Sequence, residues 1–347
     1  MAKKNSEEKL NYAQEIRELK ANGPKRLYLL WGPEDYLRQQ YLAQLKKLCL
    51  PDGEDAFSFK RIDGPLPDLD TLRDAIDAMP FMTERTFVEL RGVDFGKLEN
   101  PESYISVLSD IPDYCTVAFV QSAQYEPDGR LKIIKALRGI CKEIKFTQQS
   151  QGMLTDWIVR RFAAAGKSVE LEAAQRLIFI SGDLMNRLIP EIDKISAYTS
   201  GDRVTVKDVE AVASHIPEAD VFEMTEFISQ KKYNAAASVL AELLSNKNNE
   251  PIAILALLGL QMRKLYIARL AVDKKLGVKF VMETAGVKYE YHANKLITAA
   301  RGYTFGQLIR AVELCAEADY RMKSSGIDSA SLLKETVMRI AMGEESA

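Results

Sequence analysis

The sequence predicts an α/β domain built on a mostly parallel sheet, followed by two all-helical domains. Three observations carry this expectation. From Arg26 to about Thr147, short apolar runs alternate with segments of helical period, the rhythm of strands joined by crossover helices. Beyond a polar stretch at 147–152 the strand-like runs stop and helical periodicity alone continues. The chain has 347 residues, more than one hydrophobic core usually organises.

The strand candidates of the first region are 27–31, 57–62, 86–90, 116–120 and 143–146. Between them, 34–48, 69–78, 104–108 and 131–137 place apolar residues at helical spacing. A doubly wound sheet follows from that alternation. The run Thr147-Gln148-Gln149-Ser150-Gln151-Gly152 has few apolar anchors and reads as a linker, which bounds a first domain at 1–147. A small helical domain over 148–215 has helical patterns at 157–165, 171–180, 184–198 and 206–213, with turns at Gly166, Gly182 and Gly201. From Pro217 the helices lengthen, at 221–229, 233–244, 251–272, 289–300, 305–322 and 329–342, and form a third domain over 216–347. In the last helix Leu332, Leu333, Thr336, Val337, Ile340 and Ala341 share one stripe, as a packing face requires.

Apolar residues make up 47% and charged residues 28%, values of an ordinary globular chain. The formal charge of −2 advertises no global basic field for nucleic acid, so any such contact must be local. Cys49, Cys115, Cys141 and Cys315 lie far apart among apolar neighbours, without C-x-x-C spacing, and read as reduced core thiols. The polar start at 1–9 has no secretory apolar run, and the longest apolar stretch, 252–260, is too short to span a bilayer. A cytoplasmic protein without membrane contact is expected.

The first strand runs into Gly32-Pro33-Glu34-Asp35-Tyr36-Leu37-Arg38-Gln39, where a phosphate-binding loop belongs. Such a loop needs a second glycine for backbone approach, a lysine for charge and a hydroxyl for Mg²⁺. Leu37, Arg38 and Gln39 hold those positions, and Glu34 and Asp35 add negative charge where a triphosphate would sit. After the strand 116–120, where acidic residues would hold Mg²⁺, stand Gln121 and Ser122. Two readings fit: a nucleotide-binding fold that has lost its site, or an α/β domain never built for nucleotide. Both leave no bound cofactor. G-x-G-x-x-G, G-x-S-x-G and H-E-x-x-H motifs are absent. His215 and His292 lack neighbouring cysteines or paired carboxylates in the sequence, so neither a metal site nor a catalytic residue is assigned.

The segment Ala78-Met79-Pro80-Phe81-Met82-Thr83-Glu84-Arg85 places two large apolar residues after a helix-stopping proline. It is either a turn tucking two side chains into the core or an exposed plug for a partner's pocket. Basic residues gather modestly at Arg263-Lys264 and Lys274-Lys275. Solvated helix faces explain most of these, and a share of a DNA channel is the alternative.

These residues, in this order, resemble the delta subunits of bacterial DNA polymerase III over essentially the whole chain. The opening strand with Gly32-Pro33-Glu34-Asp35 is similar to the family's start, and Met79-Pro80-Phe81-Met82 to its clamp-binding turn. Asp156-Trp157-Ile158, Gly182-Asp183-Leu184, the 191–195 segment, the 204–209 segment and Ala318-Asp319-Tyr320-Arg321 match its later landmarks. Met82 and Trp31 depart from residues common there. The resemblance implies an AAA+-like first domain with a degenerate nucleotide site, a helical lid and a helical collar. It implies a non-catalytic subunit that binds and opens the beta sliding clamp. The implied partners are gamma/tau and delta prime subunits in a hetero-pentamer, with primed DNA. Competing readings are an AAA+-type ATPase with an atypical site, or a helical adaptor unrelated to replication.

Overall fold

The computed structural model describes residues 10–55, 57–81 and 83–343. By internal contacts it divides into two compact units, one formed by residues up to Ser150 with Leu184–Asn186, the other by Gln151–Asp183 with Arg187 onward.

The first unit holds five strands, β1 Leu27–Trp31, β2 Phe59–Asp63, β3 Thr86–Arg91, β4 Cys115–Val120 and β5 Lys142–Lys145. Their order is β2-β3-β4-β1-β5, and every pairing among them is parallel. β1, β3 and β4 are buried along nearly their whole length, which is why they read as continuous apolar runs. Edge strands β2 and β5 are half-exposed. The helices of this unit are α1 Tyr12–Asn22, α2 Asp35–Cys49, α3 Leu69–Asp77, α4 Pro101–Ser109 and α5 Lys132–Ile140. Leu72, Ile76, Leu108, Ile133, Ile134 and Leu137 cover one face of the sheet. Trp31 is accommodated by donating its indole N–H to Glu143 Oε1 at 2.9 Å while the Lys145 ammonium lies over its ring.

The second unit begins with α6 Gln151–Ala164, α7 Leu171–Ser181, α8 Met185–Tyr198, whose first two residues count with the first unit, and α9 Val206–Val212, and continues with α10 Pro217–Ser229, α11 Tyr233–Ser245, α12 Pro251–Asp273, α13 Val278–Ala285, α14 Glu290–Ala300, α15 Phe305–Ser324 and α16 Ser329–Ala341. α12 has the length and apolarity to cross a membrane. Its Ile254, Leu258, Met262 and Leu265 are instead buried in the core of this unit, where α12 packs on α10, α13, α14, α15 and α16. On α16, Leu332, Leu333, Thr336, Val337 and Ile340 are buried as the stripe requires.

Several local expectations are corrected. β2 starts at Phe59, not at Phe57. Strands do not cease after the first region, because β6 Ser168–Val169 pairs in parallel with β7 Arg203–Val204; two residues are too few to show an alternating pattern. The supposed linker already carries the first turn of α6, and α1 and α13 were not foreseen. Cys49, Cys115 and Cys315 are buried and unpaired, Cys141 half-buried and unpaired. Burial pushes Cys115 up to about 11, and Cys141 and Cys315 up to about 12, which keeps them as thiols at neutral pH.

Candidate functional site

The loop after β1 is closed on itself. Gly32 has φ +117°, and a Cβ there would lie 2.6 Å from the Phe146 carbonyl oxygen, so glycine is required by backbone shape and by close approach. Phe146 N–H donates to Trp31 O at 2.7 Å, and Glu34 N–H donates to Phe146 O at 3.0 Å, fastening the loop to the chain after β5. Arg38, the residue at the phosphate-lysine position, is buried and turned inward. Its guanidinium donates to Gly32 O and to Asp35 Oδ1, both at 2.5 Å. Burial pulls its pKa down while the Asp35 carboxylate opposes that shift.

Gln39 Nε2 donates to Asp35 Oδ1 at 3.3 Å and its Oε1 accepts from Arg91. Leu37 is buried in the core. At the end of β4, Gln121 donates its N–H to Leu30 O at 2.9 Å and its side-chain amide to Val93 O at 3.0 Å. The Asp35, Arg38, Gln39 and Gln121 side chains are thus bonded to the loop and its neighbours.

The turn after α3 is the opposite case. α3 starts at Asp68, whose carboxylate accepts from Thr71 N–H at 2.9 Å, and buries Leu72, Ala75 and Ile76. It ends before the turn, where Tyr114 donates its hydroxyl to Asp77 O at 3.1 Å. On the far side Thr83 donates to Arg85 O at 3.0 Å, Arg85 donates to Asp113 O at 2.8 Å, and Thr86 N–H donates to Tyr114 O at 2.8 Å. Between these fixed ends Met79 is 79% and Phe81 63% exposed, and Pro80 is half-buried. Of the two sequence readings of this segment, burial in the core does not hold for Met79 and Phe81. Met82 lies outside the described residues.

Arg263, exposed, and Lys264, half-buried, sit on α12; Lys274 and Lys275 follow its end and are exposed. Burial lowers the pKa of Lys264.

One cluster escaped sequence reading. His215 Nδ1 lies 2.8 Å from Asp220 Oδ1 and 3.8 Å from Glu223 Oε2. The hydrogen bond to Asp220 raises the His215 pKa, and burial raises that of Glu223. The start of α10 brings these positions together, at a spacing no standard metal motif has. His292, by contrast, packs edge-on against Phe179 and Phe222, and burial pushes it down to about 4.

Comparison with known proteins gives one consistent family. A model described as the DNA polymerase III delta subunit matches residues 28–145, and one for that subunit's C-terminal domain matches residues 218–340. A Bacillus subtilis protein named DNA polymerase III subunit delta is 26% identical over 92% of this chain and 94% of its own. An Aquifex aeolicus protein named a probable DNA polymerase III subunit delta is 24% identical over 77% of each. In fold, the chain is similar to a Bacillus subtilis DNA clamp loader delta protein, with TM-score 0.53 and 22% identity over 95% of this chain and 99% of the other.

Proposed function

From the premise that this chain belongs to the DNA polymerase III delta-subunit family, we propose that it is the clamp-opening subunit of a replicative clamp loader and carries no catalytic site of its own. The observation that carries the reading is the turn after α3, with Met79 and Phe81 in solvent between hydrogen-bonded ends. An apolar plug held this way keeps its burial energy for a partner, and a fully buried aromatic or Met contributes about 1.5–3 kcal/mol. Phe81 and Met82 enter an apolar pocket of the beta sliding clamp, and α3 behind them levers the neighbouring clamp interface open. Binding energy does the opening, while ATP held by other loader subunits decides when the turn is accessible.

The inward Arg38 supports a site that takes no nucleotide, against the reading as an atypical ATPase. We assign 148–215 as the lid and 216–347 as the collar that joins gamma/tau and delta prime in the pentamer. Arg263, Lys274 and Lys275 are the better-placed contacts for primed DNA. The subunit works in the bacterial cytoplasm with the other replication proteins.

The test is the affinity of the purified chain for the clamp ring after Phe81→Ala with Met82→Ala. A loss of about two orders of magnitude is expected, with thermal unfolding of the chain nearly unchanged. Unfolding of the first unit, or undiminished clamp affinity, would refute the assignment.

A further inference from the structure

Phe81 does not stand alone. Phe57, just before β2, is 70% exposed, and its ring centroid lies 5.8 Å from that of Phe81 with the planes tilted by 54°. This is attractive aromatic geometry, yet most of both rings faces solvent.

The posture of Phe57 is built by its turn. Asp55 Oδ1 accepts from the backbone N–H groups of Phe57 at 2.7 Å and Ser58 at 2.8 Å, and Oδ2 accepts the Ser58 hydroxyl at 2.5 Å. Ser58 itself is only 1% exposed, so the turn is fixed to the core beside the ring it displays. These hydrogen bonds, that of the Ser58 hydroxyl first, hold the Asp55 carboxyl below its ordinary range, so the turn is intact at neutral pH. A covered position for a ring exists two residues later. Phe59 stacks on Phe87 at 6.4 Å beneath the Lys46 ammonium. Phe57 is held away from such cover.

Topology explains why the two rings meet. β2 and β3 are parallel neighbours, so the segments entering them lie at the same edge of the sheet. Phe57 enters β2 and Phe81 enters β3. Glu54, paired with Lys46, and Asp55 precede the first ring, and Glu84 beside Arg85 follows the second, so no basic field gathers here for a phosphate backbone. An apolar pocket on a protein fits better.

We propose that Phe57 is a second ring of the clamp-docking surface, forming one apolar plug with Phe81 and Met79 from two separately fixed segments. The inference rests on the clamp reading above. A plug from one turn can rotate in its pocket. Two rings, each tied to its own strand, fix the direction in which force passes between the sheet and the clamp.

The test is clamp-ring affinity of the full chain carrying Phe57→Ala, Phe57→Leu, Phe81→Ala, or Phe57→Ala with Phe81→Ala. Phe57→Ala should weaken binding about tenfold with unfolding unchanged, and Phe57→Leu should recover most of that loss. The paired substitution should cost less than the product of the two single losses, because the rings touch. Wild-type affinity for Phe57→Ala, with Phe81→Ala impaired, would overturn this inference and leave the clamp reading standing. Wild-type affinity for both single variants would overturn both. Loss of single-stranded DNA binding, with clamp affinity intact, would overturn this inference in favour of base stacking.

Discussion

The loop after β1 lies at the C-terminal end of the parallel strands and the turn after α3 at their N-terminal end, and they solve opposite problems. The first is rich in groups that want partners. Glu34, Asp35, Arg38 and Gln39 gather there, and Arg38 and Gln39 bond to Asp35 while Arg38 also reaches the Gly32 carbonyl. The second is rich in groups that want cover, yet leaves Met79 and Phe81 in solvent. Buried polar groups without partners cost stability, so a polar loop of this kind gains by bonding within itself. An apolar turn faces no such requirement, since exposed hydrophobes cost the monomer little beyond a risk of unwanted association. The difference teaches where to look for each kind of function: substitutions in the loop should be read out as stability, and those in the turn as binding.

The largest effect on stability should come from Gly32→Ala. The added Cβ meets the Phe146 backbone at 2.6 Å in a left-handed conformation, and the first unit should lose about 3 kcal/mol in denaturant unfolding. A neutral result would mean that the loop is soft and that its closure is not structural. A smaller loss, about 2 kcal/mol, is expected for Arg38→Met, which removes two charge-assisted hydrogen bonds at Gly32 O and Asp35. Clamp affinity should be unaffected in that variant. If clamp binding falls while stability holds, the division between the two sites is wrong. The smallest effect belongs to Phe81→Ser, which should shift unfolding by no more than about 0.5 kcal/mol. A loss of several kcal/mol would make Phe81 a core residue.

How much of this was legible in the sequence depended on burial. β1, β3 and β4 are covered on both faces, so their apolar runs stood out and located them to within a residue. The edge strand β2 was started two residues early because Phe57 looks like a strand residue and is in fact displayed in solvent. α6 begins in a polar stretch because Gln151 and Gly152 open the helix ahead of its apolar positions at Leu154 and Ile158. At the candidate site, the missing lysine and glycine were plain from the residue types. That Arg38 would fold inward was not, since an arginine on an early helical turn reads as a solvated charge. Spacing left the turn at 78–85 open because a proline followed by two hydrophobes is equally compatible with core and surface, and the groups that fix it from outside, the Tyr114 hydroxyl and the Asp113 carbonyl, lie on another segment. The His215, Asp220 and Glu223 cluster was invisible for a related reason: it is assembled by the bend into α10.

The central claim is that this chain grips the clamp through its apolar turn and takes no nucleotide. The most direct measurement is calorimetric titration of the purified chain with the clamp ring, with and without ATP, alongside ATP alone. The account predicts saturable clamp binding of equal affinity in both conditions and no binding heat from ATP alone. Saturable ATP binding that disappears on substitution of Arg38, or clamp binding that requires ATP on this chain, would contradict it.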